Sequence, residues 1–192
     1  EAVIDAILEF VGSDEPPPEA LNLPSGTAVI LFADIADSTA LTERLGDAAF
    51  REKARELDEA LRRAISSNGG TAIEGKLLGD GVLAVFGAAR EAIACASAIH
   101  DAGRRAGLPL HVGVHAGDVI REEGNVYGGA VNIAARIADL SEAGEVLVSQ
   151  TVRDLARTSA GVSFEDRGER VLKGVGEPVR VWAVRGGEAR DD

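Results

Sequence analysis

Asp34 closes an almost unbroken apolar run, Ala28 to Ala33 (AVILFA), and is followed by Ile35-Ala36 and then Asp37-Ser38-Thr39. A run this short, β-branched in part and preceded by Ser25-Gly26, reads as a strand buried on both faces. Three N-cap residue types in a row, ahead of a helical pattern, place a helix start at the end of that strand. A carboxylate there can hold a hard cation, and the unpaired N–H groups of a helix start can hold an anion. The two together suit a metal-bound polyphosphate, although a single isolated Asp at this place is better explained as a strand terminator. A second acid, Asp80, lies in the turn signal Gly79-Asp80-Gly81, just before the apolar stretch Val82 to Phe86. Asn132 and Arg136 stand at i and i+4, so both project from one face of a helix. An Asn inside the apolar run AVNIAAR is a poor choice for mere surface.

The elements that must position these residues follow from periodicity. Ser38 to Ser66 carries Leu41, Leu45, Ala49, Leu57, Leu61 and Ile65 at helical spacing and stops at Asn68-Gly69-Gly70. Thr71 to Glu74 and Val82 to Phe86 are short strands, and Ala88 to Ala106 is a second helix closed by Gly107 and Pro109. Leu110 to His115 and Asp118 to Arg121 read as a hairpin around Ala116-Gly117. Next come a helix from about Val131 to Leu140, a strand Glu145 to Val148 and a short helix Thr151 to Ala156. Two strands close the chain, near Val162 to Arg167 and Val179 to Val184.

Strand, helix, strand-turn-strand, helix, strand is the order βαββαβ, so the predicted fold is α/β with a ferredoxin-like core, extra C-terminal strands and a mixed sheet containing antiparallel pairs. In such a sheet the first and third strands are central neighbours, which sets Asp80 beside Asp34. Two carboxylates converging on adjacent strand ends, flanked by glycines that admit a ligand to the backbone, are expected to hold two divalent cations, a reading that the topology favours over two exposed turn acids.

Composition narrows the partners. A chain of 192 residues can bury a real core, here of Ala, Val, Ile and Leu, since 45% is hydrophobic and only 4% aromatic. A net charge of −12 argues against nucleic acid and against direct contact with an anionic membrane. The one cysteine, Cys95, excludes an internal disulfide, fits a reducing cytoplasm and is expected to be a buried small hydrophobe. No apolar run approaches membrane-spanning length. His100, His111 and His115 lack metal-ligand spacing, and Trp182 is expected to pack. Residues 1–25 hold an amphipathic helix, Glu1 to Val11, and a Pro-rich linker with Pro16-Pro17-Pro18. Together with the absence of an initial Met, they suggest a piece of a longer chain. Residues 26–186 are expected to form the main folded unit and 187–192 a disordered tail.

Four stretches occur in order: LFADIADST from Leu31, KLLGDGVLAVF from Lys76, GNVYGGAVNIAAR from Gly124, and LKGVGEPVRVW from Leu172. With these motifs the chain, from Thr27 to about Val184, resembles the catalytic domain of class III nucleotide cyclases. The resemblance implies that ATP is converted to 3′,5′-cyclic AMP and pyrophosphate with two Mg²⁺ or Mn²⁺ ions per site. Asp34 and Asp80 would bind both metals, helped by the Ile35 carbonyl, and the loop with Ser38 and Thr39 would present N–H groups to the triphosphate. Asn132 would orient the ribose, Arg136 would meet the α-phosphate, and Lys173 would clamp phosphate.

Lys76 and Asn125 fall at the purine-reading positions. Relatives that prefer ATP usually carry Asp, or Thr, where Asn125 stands. An Asn can accept from the adenine amino group, but after a flip its NH₂ can donate to guanine O6, so discrimination is expected to be softer. The resemblance also implies a homodimer with two composite sites. Asp34 and Asp80 come from one chain, and Lys76, Asn125, Asn132, Arg136 and Lys173 from the other. A regulatory or α/β-hydrolase-like domain is expected upstream. Two other readings stay open: a cyclase of relaxed or guanine preference, and a weakly active nucleotide-binding regulatory dimer. The complete metal and Asn/Arg set argues against the regulatory dimer.

Overall fold

The computed structural model describes residues 25–73, 81–122 and 124–186. Strand β1 (Ser25–Ile35) lies inside the sheet and collects its partners because both of its faces are apolar. Strand β2 (Thr71–Ala72) is short and pairs with β3 (Val82–Phe86), which runs antiparallel to β1 with Val29 opposite Phe86 and Ala33 opposite Val82. On its other side β1 pairs antiparallel with β4 (Leu110–Glu122) over its whole length, Ser25 opposite Ile120 and Ile35 opposite Leu110. The order β2-β3-β1-β4 with every pair antiparallel is the expected ferredoxin-like core. The small strand β5 (Asn125–Tyr127) folds back on β4. Beyond β4 the sheet continues through β6 (Glu145–Ser149), parallel to β4, then the antiparallel strands β8 (Val179–Arg185) and β7 (Ser163–Arg170). Strand β7 is an edge, and its charged sequence SFEDRGER keeps it from pairing further.

Among the described residues five helices connect these strands: α1 (Ser38–Leu45), α2 (Asp47–Ser67), α3 (Ala89–Ala106), α4 (Gly129–Leu140) and α5 (Gln150–Ala156). The pleat of β1 divides them. Val29, Leu31, Ala33 and Ile35 join a core with Leu57, Leu61 and Ile65 of α2 and Ile93, Cys95 and Ile99 of α3. Ala28, Ile30 and Phe32 face the other way, toward Ala130 and Ala134 of α4. Cys95 is fully buried, as expected, and its burial pushes the thiol pKa up to about 12.

Two expectations are corrected. The segment 38–67 is two helices, not one, because Gly46 (φ 83, ψ 151) lies outside helical space and accepts the turn without a Cβ penalty. The break resets the helical phase. Phe50 therefore joins Leu57, Leu61 and Ile65 in the core, while Ala49, predicted to face inward, is exposed. The predicted hairpin at Ala116-Gly117 is also absent. The chain runs straight through it as β4, with Ala116 opposite Val29 and Gly117 opposite Ala28, and the reversal comes between β4 and β5. Gly117 is small because α4 passes over it: a Cβ there would sit 3.1 Å from the Ala130 Cβ. Residues 1–24 and 187–192, assigned to the linker helix and tail, lie outside the described residues.

Candidate active site

Asp34 stands at the end of β1, exposed, with His111 of β4 opposite it. Its Oδ1 accepts the N–H of Ile35 at 2.9 Å, which orients the carboxylate along the chain toward the loop. Ile35 itself is anchored, its side chain 5% exposed in the core shared with α2. Past it the strand end is closed by Ala36 N–H donating to the Pro109 carbonyl at 2.8 Å. Asp37 then takes a left-handed conformation (φ 51, ψ 37), which turns the chain into α1. Asp37 is the N-cap, but its side chain makes no capping bond, contrary to the sequence expectation. Ser38 and Thr39 thus open α1 with first-turn N–H groups that no cap side chain satisfies. The loop geometry rests on the one non-glycine residue with positive φ among those described, a feature that composition did not signal.

Strand β3 starts opposite Ala33, so the chain enters β3 next to the end of β1. Asp80 and Lys76 lie outside the described residues, as does Glu74 of the strand expected from Thr71, while Ile73 follows the observed strand and is buried. An exposed carboxylate and a main-chain carbonyl at one strand end are hard oxygen donors of the kind Mg²⁺ or Mn²⁺ accepts. Among the described residues no group of three or more His, Cys, Asp or Glu side chains converges.

Asn132 and Arg136 both lie exposed on α4. They sit about half a turn round the helix from Ala130, Ala134 and Ala138, which face the sheet, so both side chains leave the domain. Arg136 donates to Asp139 Oδ2 at 3.1 Å, an exposed pair of the weak kind that a phosphate can displace. Sequence reasoning missed Asp139, although its i+3 spacing from Arg136 was visible. Lys173 is exposed in the turn between β7 and β8. Its neighbour Leu172 is 3% exposed and packs with Ile137 of α4, which ties the lysine's turn to the helix that carries Arg136. That tie was also missed, since one apolar residue in a loop has no periodicity to read.

Asn125 is half-buried on β5, across the hairpin from Glu122. Its Oδ1 is shielded from solvent and has no hydrogen-bond partner. The residue borders a cleft of about 380 Å³ lined also by Thr71, Ile73, Val85, Phe86 and Arg121. Asp118 accepts the Thr27 hydroxyl at 2.9 Å between β1 and β4. Within one chain, then, the Asp34 loop lies at a strand end while Asn132 and Arg136 point away from the sheet.

The fold is that of solved cyclase domains: the adenylyl cyclase CyaB from P. aeruginosa superposes with a TM-score of 0.75 at 21% identity, covering 86% of this chain and 96% of that one. The chain belongs to the adenylate and guanylate cyclase catalytic domain family, whose profile matches residues 23–186. A Silicibacter pomeroyi structure described as an adenylate/guanylate cyclase/hydrolase is 30% identical, with a TM-score of 0.73 over 85% of this chain and 99% of that one. A Rhizobium meliloti (strain 1021) protein named "Putative adenylate cyclase 3" is 32% identical over 81% of this chain. The chain spans 27% of the length of that protein and 54% of the next curated relative, so it corresponds to part of each. Among the described residues no helix is long and apolar enough to cross a membrane.

Proposed function

We propose that this domain is an adenylate cyclase that closes ATP to 3′,5′-cyclic AMP in sites shared between two copies of the chain. The ribose 3′-oxygen attacks the α-phosphorus. A new O3′–P bond forms, the bond from the α-phosphorus to the bridging oxygen breaks, pyrophosphate leaves, and the hydroxyl proton passes to solvent. Asp34, the Ile35 carbonyl and Asp80 would hold two Mg²⁺ or Mn²⁺ ions, whose chemistry is to acidify the 3′-hydroxyl and offset the charge of the triphosphate. The N–H groups at Ser38 and Thr39 cradle the triphosphate. Asn132 orients the ribose, and Arg136 leaves Asp139 to meet the charge that grows on the α-phosphate oxygens. Lys173 holds the terminal phosphates, and Lys76 with Asn125 reads the purine.

The observation that carries this reading is the outward projection of Asn132 and Arg136, one turn apart, from the side of α4 opposite the alanines that face the sheet. A second copy related by a two-fold axis supplies what each half-site lacks. The partnerless Asn125 Oδ1 favours adenine, whose 6-amino group is a donor. A second reading, relaxed or guanine preference, rests on the same residue, because a flipped amide offers guanine O6 a donor. Residues 1–25 join the domain to an upstream regulatory unit in a cytoplasmic protein. The longer relatives are consistent with this, and an α/β-hydrolase-like unit is our candidate. The test is incubation with ATP or GTP plus Mg²⁺ or Mn²⁺, with separation of the cyclic products. Cyclic AMP should dominate and chelation should stop it. A predominance of cyclic GMP would support the second reading, and no cyclic product would defeat both.

A further inference from the structure

Helix α4 carries Asn132 and Arg136, and what sets its height above the sheet is glycine. The face of β4 beneath it presents Gly113, His115 and Gly117, while Val112, Val114 and Ala116 point to the opposite core. A Cβ on Gly113 would lie 2.3 Å from the Ala138 nitrogen and 2.4 Å from the Ala134 oxygen. These are main-chain atoms of α4, so the helix backbone rests directly on the strand backbone and no side chain can yield. At Gly117 the neighbour is a side chain, the Ala130 Cβ at 3.1 Å. Between the two glycines the His115 ring is drawn aside to the Ser149 hydroxyl, Nδ1 to Oγ 2.8 Å. Ala130, Ala134 and Ala138 complete the approach from the helix side, all at most 6% exposed.

We infer that Gly113 is a positioning residue for cyclisation: by letting α4 seat on β4, it fixes where Asn132 and Arg136 stand in the shared site. This rests on the functional reading above. Relieving contacts of 2.3–2.4 Å to ordinary van der Waals separation requires α4 to rise or tilt by on the order of 1 Å, and the pair on its outer side moves with it. A displacement of this size at groups that orient and stabilise a reacting phosphate costs up to about 100-fold in rate. Close packing for stability alone would predict a lower melting temperature and unchanged turnover per folded site.

The experiment compares Gly113→Ala, Arg136→Ala and the double variant in the full chain, with ATP kinetics and thermal unfolding. Gly113→Ala should unfold cooperatively, hold KM within about threefold and lose roughly 10- to 100-fold in kcat. The double variant should be slower than Arg136→Ala by clearly less than the Gly113→Ala factor, because one of the two side chains that Gly113 positions is already gone. Effects that multiply, or an unchanged kcat in Gly113→Ala, overturn the inference. Should Gly113→Ala fail to fold, Gly117→Ala replaces it. A severalfold loss of kcat that Ala130→Gly restores supports helix seating, and no loss, or a loss that is not restored, overturns it. A wild-type chain that forms no cyclic product defeats the functional reading, and with it this one. An active wild type with multiplying effects defeats this one alone.

Discussion

In the proposed reading the choice of base turns on Asn125. Its Oδ1 is buried without a partner, and a buried acceptor in that condition gains most from a ligand that brings a donor. Adenine brings one in its 6-amino group, while guanine brings an acceptor and requires the amide to flip. Asn125→Asp removes the donor side of the amide, so the ratio of kcat/KM for ATP over GTP should rise. One such hydrogen bond is worth about 0.5–1.5 kcal/mol, which is a change of about two- to tenfold. An unchanged ratio would mean that Asn125 does not read the base. At this scale the candidate residues were legible because they lie in short stretches with fixed internal spacing. Asn132 and Arg136 are exposed on one helix, and Asp34 ends its strand, as expected. What residue types could not show was tertiary packing, such as the buried cluster that Leu172, beside Lys173, shares with Ile137 of α4.

Among the elements, β4 is one of the two whose reading failed. Ala-Gly between two apolar runs mimics a turn, but Gly117 is there to admit α4 and the strand continues. Gly46 misled in the opposite direction, since one glycine among helix formers does not announce a break until its φ of 83 is seen. His115, between the glycines of β4, is held neutral. Burial pulls its pKa from 6.5 down to about 4, and its Nδ1 lies 2.8 Å from the Ser149 hydroxyl. The unfolded chain binds this proton more readily than the folded one. His115 therefore leaves stability intact above about pH 6.5 and subtracts from it as pH falls toward 4, by about 2–3 kcal/mol in all. His115→Gln, which can keep a bond to Ser149, should lose less stability than wild type between pH 6.5 and 4 in denaturant titrations. Glu165 and Asp166 on β7 do not cloud the comparison. Hydrogen bonds from Arg185 and Arg180 hold their carboxyls below the usual range in both proteins. Parallel stability curves would show that the ring takes up its proton without penalty.

At the scale of the molecule, the arrangement of half-sites makes its own prediction. In one chain Asp34 ends β1 while Asn132 and Arg136 project from the outer side of α4, and in the proposed homodimer each complete site draws on both chains. Asp34→Ala spoils the metal half of every site to which that chain contributes it, and Arg136→Ala spoils the half that meets the phosphate. Each variant homodimer should be nearly inactive, because both of its sites carry the same lesion. In a dimer of the two variants, two-fold symmetry puts both lesions into one site and leaves the other intact. Random exchange in an equal mixture makes about half of the dimers mixed, so activity should return to about one quarter of wild type. Exchange is verified with differently tagged chains under conditions where dimers dissociate. Recovery near that level requires Asp34 and Arg136 to act from opposite chains. Verified exchange without recovery would place them in the same chain's site, and the outward projection of α4 would then need another purpose.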